Sequence, residues 1–208
     1  MMLFVDYGEM FIFITLAVAS VIAFGVCLDR YILMRPYAGK KSNAIFSSIL
    51  DGIRACNIDQ VKNIPPDKKS IYSRFAIYCL NKIDERKPGL DEIMASRMLE
   101  EESVLEKRLP ILNTLGNNAP FIGLLGTVLG VIKAFHGLGT LGNTGAEVVM
   151  RGISSALLAT AAGLFIAVPV VMFNNFFTSR IQEIMKNLLI MSKEISAFAA
   201  YSASKRKR

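Results

Sequence analysis

Charge segregation is the feature that most constrains this chain. Met10 to Leu28, Leu109 to Ile132 and Ile153 to Thr178 contain no Lys, Arg, Asp or Glu, although a fifth of the residues overall are charged. Each stretch has about the 20 apolar residues needed to cross a hydrocarbon core of roughly 30 Å. Strands have little support anywhere, and no internal repeat is evident. The pattern predicts an all-α integral membrane protein with three transmembrane helices and long cytoplasmic helical extensions.

The 208 residues carry a formal net charge of +7, and the placement of that charge orients the spans. Residues 29–117 hold fifteen Lys and Arg and residues 178–208 hold seven, whereas the segment before the first span has only Asp6 and Glu9. The stretch Gly137 to Gly152 has only Glu147 and Arg151. The positive-inside rule then places the N-terminus and the short loop outside the cytoplasm. The expected organisation of this multi-pass protein is an N-terminus outside the cytoplasm at 1–9, spans at 10–28, 111–136 and 153–177, and a cytoplasmic helical region at 29–110. An outer loop at 137–152 and a cytoplasmic amphipathic helix with basic tail at 178–208 complete it. The terminal Lys205 to Arg208 read as a membrane-surface or solvated tail, not a nucleic-acid patch. The acidic flank of the first span argues against a signal peptide. Cys27, Cys56 and Cys79 have no paired spacing and read as free thiols.

Between the first two spans, three helices are expected. Ser42 is the candidate N-cap of the first, with Ile45, Phe46, Ile49, Leu50 and Ile53 on one face. Pro65 and Pro66 break the chain, and Ile71, Phe75, Tyr78 and Ile83 mark a second helix ended by Pro88 and Gly89. Asp91 is the candidate cap of a third, running toward the second span with a bend at Pro110. Glu100, Glu101, Glu102 and Glu106 read as a solvated helix face in preference to a metal site. After the third span, Ile181, Ile184, Leu188, Met191, Ile195 and Phe198 alternate steps of three and four, predicting a continuous amphipathic helix.

The second and third spans are rich in small residues, which mark helix contacts in bilayers. Ala119, Gly123, Gly126, Gly130 and Ala134 form one stripe. Ser155, Ala159, Gly163 and Ala167 form another, flanked by Gly152, Ala156 and Thr160. Helix packing is therefore expected at Gly123, Gly126, Gly130, Ala159 and Gly163, with the Phe- and Val-rich first span facing lipid. Thr127 and Thr160, joined by Ser154 and Ser155, are candidate channel-lining residues, although a membrane threonine can also return its hydroxyl to its own backbone. Neither span carries an interior carboxylate, so a proton relay would need an acid from another protein. Lys133 and His136 read as snorkelling toward the interface.

The runs APFIGLLGTVLGVIKAF (Ala119 to Phe135) and GISSALLATAAGLFIAVPVV (Gly152 to Val171) together resemble the paired signature of the ExbB/TolQ/MotA proton-channel family. The three-span layout is closest to ExbB or TolQ. The resemblance implies a homopentamer in the lipid bilayer of the bacterial inner membrane, with the N-terminus and the loop 137–152 in the periplasm, around single-span ExbD/TolR-like partners carrying a membrane aspartate. The complex would be driven by the proton motive force and would act through a TonB-like or TolA-like protein. Thr127 and Thr160 match family threonines near the channel, and Pro120 and Pro169 match its prolines. Many relatives have glutamate where this chain has Ser155, so proton and sodium both remain open as the ion. No cofactor, metal or nucleic acid is implied. The alternative is a structural membrane scaffold without ion flux. An enzyme is disfavoured, since no nucleophile and base pair, metal-ligand cluster or phosphate loop is evident and His136 stands alone.

Overall fold

The computed structural model describes residues 2–37, 39–57, 61, 70–84, 89–141 and 145–205. Among the described residues six long helices follow in order: α1 (Met2–Met34), α2 (Lys40–Arg54), α3 (Ile71–Asp84), α4 (Leu90–Glu106), α5 (Leu109–Leu141) and α6 (Gly145–Lys205). No strand occurs among the described residues. Three of these described helices are long and apolar enough to cross a bilayer, over Tyr7–Met34, Leu109–His136 and Val149–Ser202. A 28-residue helix rises roughly 42 Å at about 1.5 Å per residue. The chain is therefore an all-α membrane protein.

The chain divides into two compact units, one of Met1–Asp29 with Arg108–Phe177, the other of Arg30–Lys107 with Thr178–Arg208. In the first, α1 turns Ile12 and Leu16 inward against Ala119 of α5 and Ala167 of α6. Its other side exposes Phe11, Val18, Val21 and Phe24, the face suited to lipid. The second unit is organised as in water. α2 packs on α3, and α3 on α4, around a core that includes Ile49, Phe75, Met94 and Leu105. The C-terminal part of α6 buries Ile181, Ile184, Leu188, Met191 and Ile195, the face its sequence spacing marks. Phe46 and Tyr72 pack with ring centroids 5.2 Å apart, and Asn187 Nδ2 donates to Tyr72 Oη at 3.0 Å.

Several boundaries differ from expectation. α1 is helical from Met2, so residues 2–9 belong to the same helix as the first span. Stretch 137–152 is helical through Leu141 and again from Gly145, because glycine weakens a helix by only about 1 kcal/mol and does not by itself end one. Ser42 is not a cap: Gly39 opens α2 from an extended conformation, leaving Ser42 buried inside the first turn with its hydroxyl unpartnered. α4 is capped by Gly89, whose φ of 73° is left-handed, a conformation glycine adopts without steric cost. Asp91 instead lies in the first turn, where its carboxylate accepts a hydrogen bond from the Ser196 hydroxyl. The chain breaks at Lys107 and Arg108, the latter at φ 70°, and not at Pro110. That proline occupies the first turn of α5, where a missing N–H leaves no bond unmade. Pro65, Pro66, Pro88 and Arg206 to Arg208 lie outside the described residues.

The acidic stretch of α4 is not uniformly solvated. Glu101 is buried, 2.9 Å from Arg74 Nη2 and 2.5 Å from Arg97 Nη2. Arg97 also lies 5.5 Å from the centre of the Tyr78 ring. A carboxylate out of water needs such pairing, because an uncompensated buried charge is strongly destabilising. Arg30, also buried, donates to the Leu105 carbonyl at 3.3 Å, meeting the last turn of α4 where carbonyls lack helical partners.

Two outcomes test this packing. Leu188→Ala, at a fully buried position, is expected to cost roughly 2–5 kcal/mol and to lower the melting temperature in detergent, whereas exposed Leu189→Ala leaves it nearly unchanged. Burial pushes the Cys79 thiol up to about 12, against a smaller opposing effect of Arg97, so its reactive thiolate is scarce near neutrality. In native protein a maleimide at pH 8 should label exposed Cys56 but not Cys79, which reacts only after unfolding.

Candidate functional site in the small-residue seam

The two stripes of small residues face each other as α5 and α6 run antiparallel. A Cβ placed on Gly163 would stand 2.6 Å from the Ala119 carbonyl oxygen and 3.1 Å from Gly123 Cα. One on Gly123 would stand 2.8 Å from the Ala159 carbonyl oxygen and 3.0 Å from Thr160 Cα. Further along, Gly126 meets Ala159 Cβ at 2.5 Å, Gly130 meets Ala156 Cβ at 2.6 Å, and Gly152 meets Ala134 Cβ at 2.8 Å, each measured from the same hypothetical carbon. The backbones approach so closely that side chains are excluded, the packing mode available to helices that gain nothing by hiding from water in lipid. Gly126 also receives Ile12 of α1 at 3.3 Å, and a Cβ on Gly8 would strike Leu129 at 2.8 Å. The seam thus seats the first helix as well.

The hydroxyls divide by what they reach. Thr160 Oγ1 crosses the seam and donates to the Gly123 carbonyl at 3.1 Å. Thr127 Oγ1 returns to the Leu124 carbonyl of its own helix at 2.7 Å. Ser154 is exposed. Ser155 donates to Glu9 Oε1 at 2.8 Å and lies 3.4 Å from the Gly152 carbonyl oxygen. Pro120 is half-buried within α5, while Pro169 is exposed on α6 and stands outside the seam. Both helices continue through their prolines, as membrane helices do when neighbours re-satisfy freed carbonyls.

Sequence reasoning missed a polar cluster at one end of these helices. Lys133 Nζ lies 3.0 Å from Glu9 Oε2, and the Glu9 side chain is only 16% exposed. Lys133 is therefore engaged with an acid instead of simply extending to an interface. α1, α5 and α6 each contribute one member: Glu9, Lys133 and Ser155. The available signal was a lysine and a glutamate at span ends that a three-span topology puts on the same side of the bilayer.

The profile of the MotA/TolQ/ExbB proton channel family matches residues 67–189. Over 109 residues the chain is 38% identical to the Tol-Pal system protein TolQ of Pseudomonas aeruginosa, covering 52% of this chain and 47% of that one. Over 98 residues it is 39% identical to the biopolymer transport protein ExbB of Aquifex aeolicus, covering 47% and 65%. Over 96 residues it is 41% identical to TolQ of Haemophilus influenzae, covering 46% and 42%. The chain thus spans about half the length of the curated relatives it matches. The matched stretch contains both stripes.

A glycine exchange tests the seam. Gly163→Ala is expected to destabilise the protein by about 1–3 kcal/mol, because its methyl overpacks against backbone that has no room to move. Gly25 has nothing within 4 Å of an added Cβ, so Gly25→Ala should be neutral or raise the detergent melting temperature slightly.

Proposed function

The chain belongs to the MotA/TolQ/ExbB proton channel family, and on that premise we propose that it is the channel-forming subunit of a proton-motive-force-driven inner-membrane motor. The complex is of the ExbB-ExbD or TolQ-TolR type and energises outer-membrane transport or envelope processes. The observation that carries this reading is the Thr160 bond to the Gly123 carbonyl, a polar crossing in the middle of a close-packed seam. Such a bond holds the two helices in register, and it places a hydroxyl between the two stripes in the stretch that the family model matches.

In this reading several copies, five by family resemblance, surround one or more single-span partners of the ExbD/TolR type. Each partner brings a membrane aspartate. The exposed surfaces of α5 and α6, including Phe121, Leu125, Leu158 and Phe165, then meet neighbouring copies or lipid. Thr127, Ser154 and Pro169 belong to surfaces completed by assembly, and Thr160 and Ser155 to the path itself. The basic segments 29–110 and 178–208 lie in the cytoplasm and the N-terminus in the periplasm. Work leaves the complex through a TonB-like or TolA-like protein, and no chemical catalysis by this chain is involved.

Thr160→Val keeps the shape of the side chain and removes the hydroxyl. It is expected to preserve assembly, at a cost of about 1 kcal/mol for the lost interhelical bond, and to abolish the energising activity in a cell-based uptake or envelope-integrity assay. Full activity in that variant would contradict the assigned role.

A further inference from the structure

Neither span 111–136 of α5 nor span 153–177 of α6 contains an acid, yet the structure brings one to them from α1. Glu9 falls within the Tyr7–Met34 span, and its largely buried carboxylate is shared between Lys133 on one oxygen and Ser155 on the other. An acid in an apolar span is costly, and such residues face the bundle interior where they serve transport. Resting on the channel reading above, we propose that Glu9 is a proton-exchanging residue of the ion path, with Ser155 as its hydrogen-bond switch and Lys133 as its counter-charge.

A static ion pair would need only Glu9 and Lys133. What Ser155 adds is a hydroxyl with two acceptors in reach, Glu9 Oε1 at 2.8 Å and the Gly152 carbonyl oxygen at 3.4 Å. With Glu9 ionised, Ser155 donates to the carboxylate. When a proton binds Oε1, the new O–H donates to Ser155 Oγ, and Ser155 rotates its own hydrogen toward Gly152. Lys133 stays an ammonium throughout and keeps Oε2 as acceptor. The two protonation states differ by one proton and one hydroxyl rotation, and each polar group keeps a partner in both.

Other charges on the packed helices are arranged differently. His136 is exposed on α5 one turn beyond Lys133. Arg151 and Glu147 of α6 pair with each other at 3.7 Å, both largely exposed. The close oxygen contact also means that a carboxylate carried by residue 155 would occupy nearly the same place as that of Glu9, so the acid can be moved from one helix to the other.

The test is proton flux into lipid vesicles by the full complex of this chain with its membrane partner, with assembly followed by gel filtration. Glu9→Gln is expected to reduce flux about a hundredfold, the low end of what a positioned proton-transfer group contributes, and Ser155→Ala severalfold. In the double variant Glu9→Gln with Ser155→Glu, much of the flux should return. Flux in assembled Glu9→Gln within about twofold of wild type would overturn the proposal. So would a loss that Ser155→Glu does not reverse, which marks Glu9 as a structural ion-pair member. If Glu9→Gln does not assemble, Ser155→Ala decides, and unchanged flux there overturns the proposal. A wild-type complex without flux refutes the channel reading itself, and this inference with it.

Discussion

The backbone contact between α5 and α6 at Gly123 and Gly163 fixes the rest of the membrane-spanning unit. In lipid there is no reward for hiding apolar surface, so helices hold together through close van der Waals packing and a few hydrogen bonds. Both require the backbones to approach without intervening side chains. Once that approach is made, the antiparallel register follows from one glycine or alanine contact to the next. The same register sets Thr160 on the Gly123 carbonyl and opens the groove into which Ile12 fits beside Gly126. Seating α1 in turn brings Glu9 to Lys133 and Ser155.

The second unit obeys a different solvent. There the driving force is removal of apolar surface from water, and the large side chains do the packing: Phe75, Met94, Leu188 and Ile195 are all buried. Charges can be kept only when paired, as Glu101 is with Arg74 and Arg97. One continuous helix, α6, serves both regimes. Its composition changes accordingly, from Ala and Gly in the first unit to Ile, Leu and Met at alternating steps of three and four in the second.

This contrast explains what could be read from the sequence. Charge-free stretches of membrane length and the face from Ile181 to Ile195 are local patterns, so the helical architecture was legible. Helix starts were less so. Ser42 and Asp91 have the chemistry of caps, but glycines ahead of them supplied the required backbone geometry. Thr127 and Thr160 look equivalent in sequence, and only the register between helices separates a hydroxyl bonded to its own turn from one that crosses the seam. Glu9 and Lys133 were hidden for the same reason, since 124 positions separate them in the chain and their meeting depends on two helix contacts at once.

The proposed function has the helices joined at this seam line an ion path completed by a partner helix. It is tested most directly by measuring the proton conductance of the purified complex in vesicles, with and without its single-span partner, under an imposed membrane potential. The expected result is conductance that requires the partner. Absence of conductance in the complete complex, or the same conductance from this chain alone, would contradict the claim.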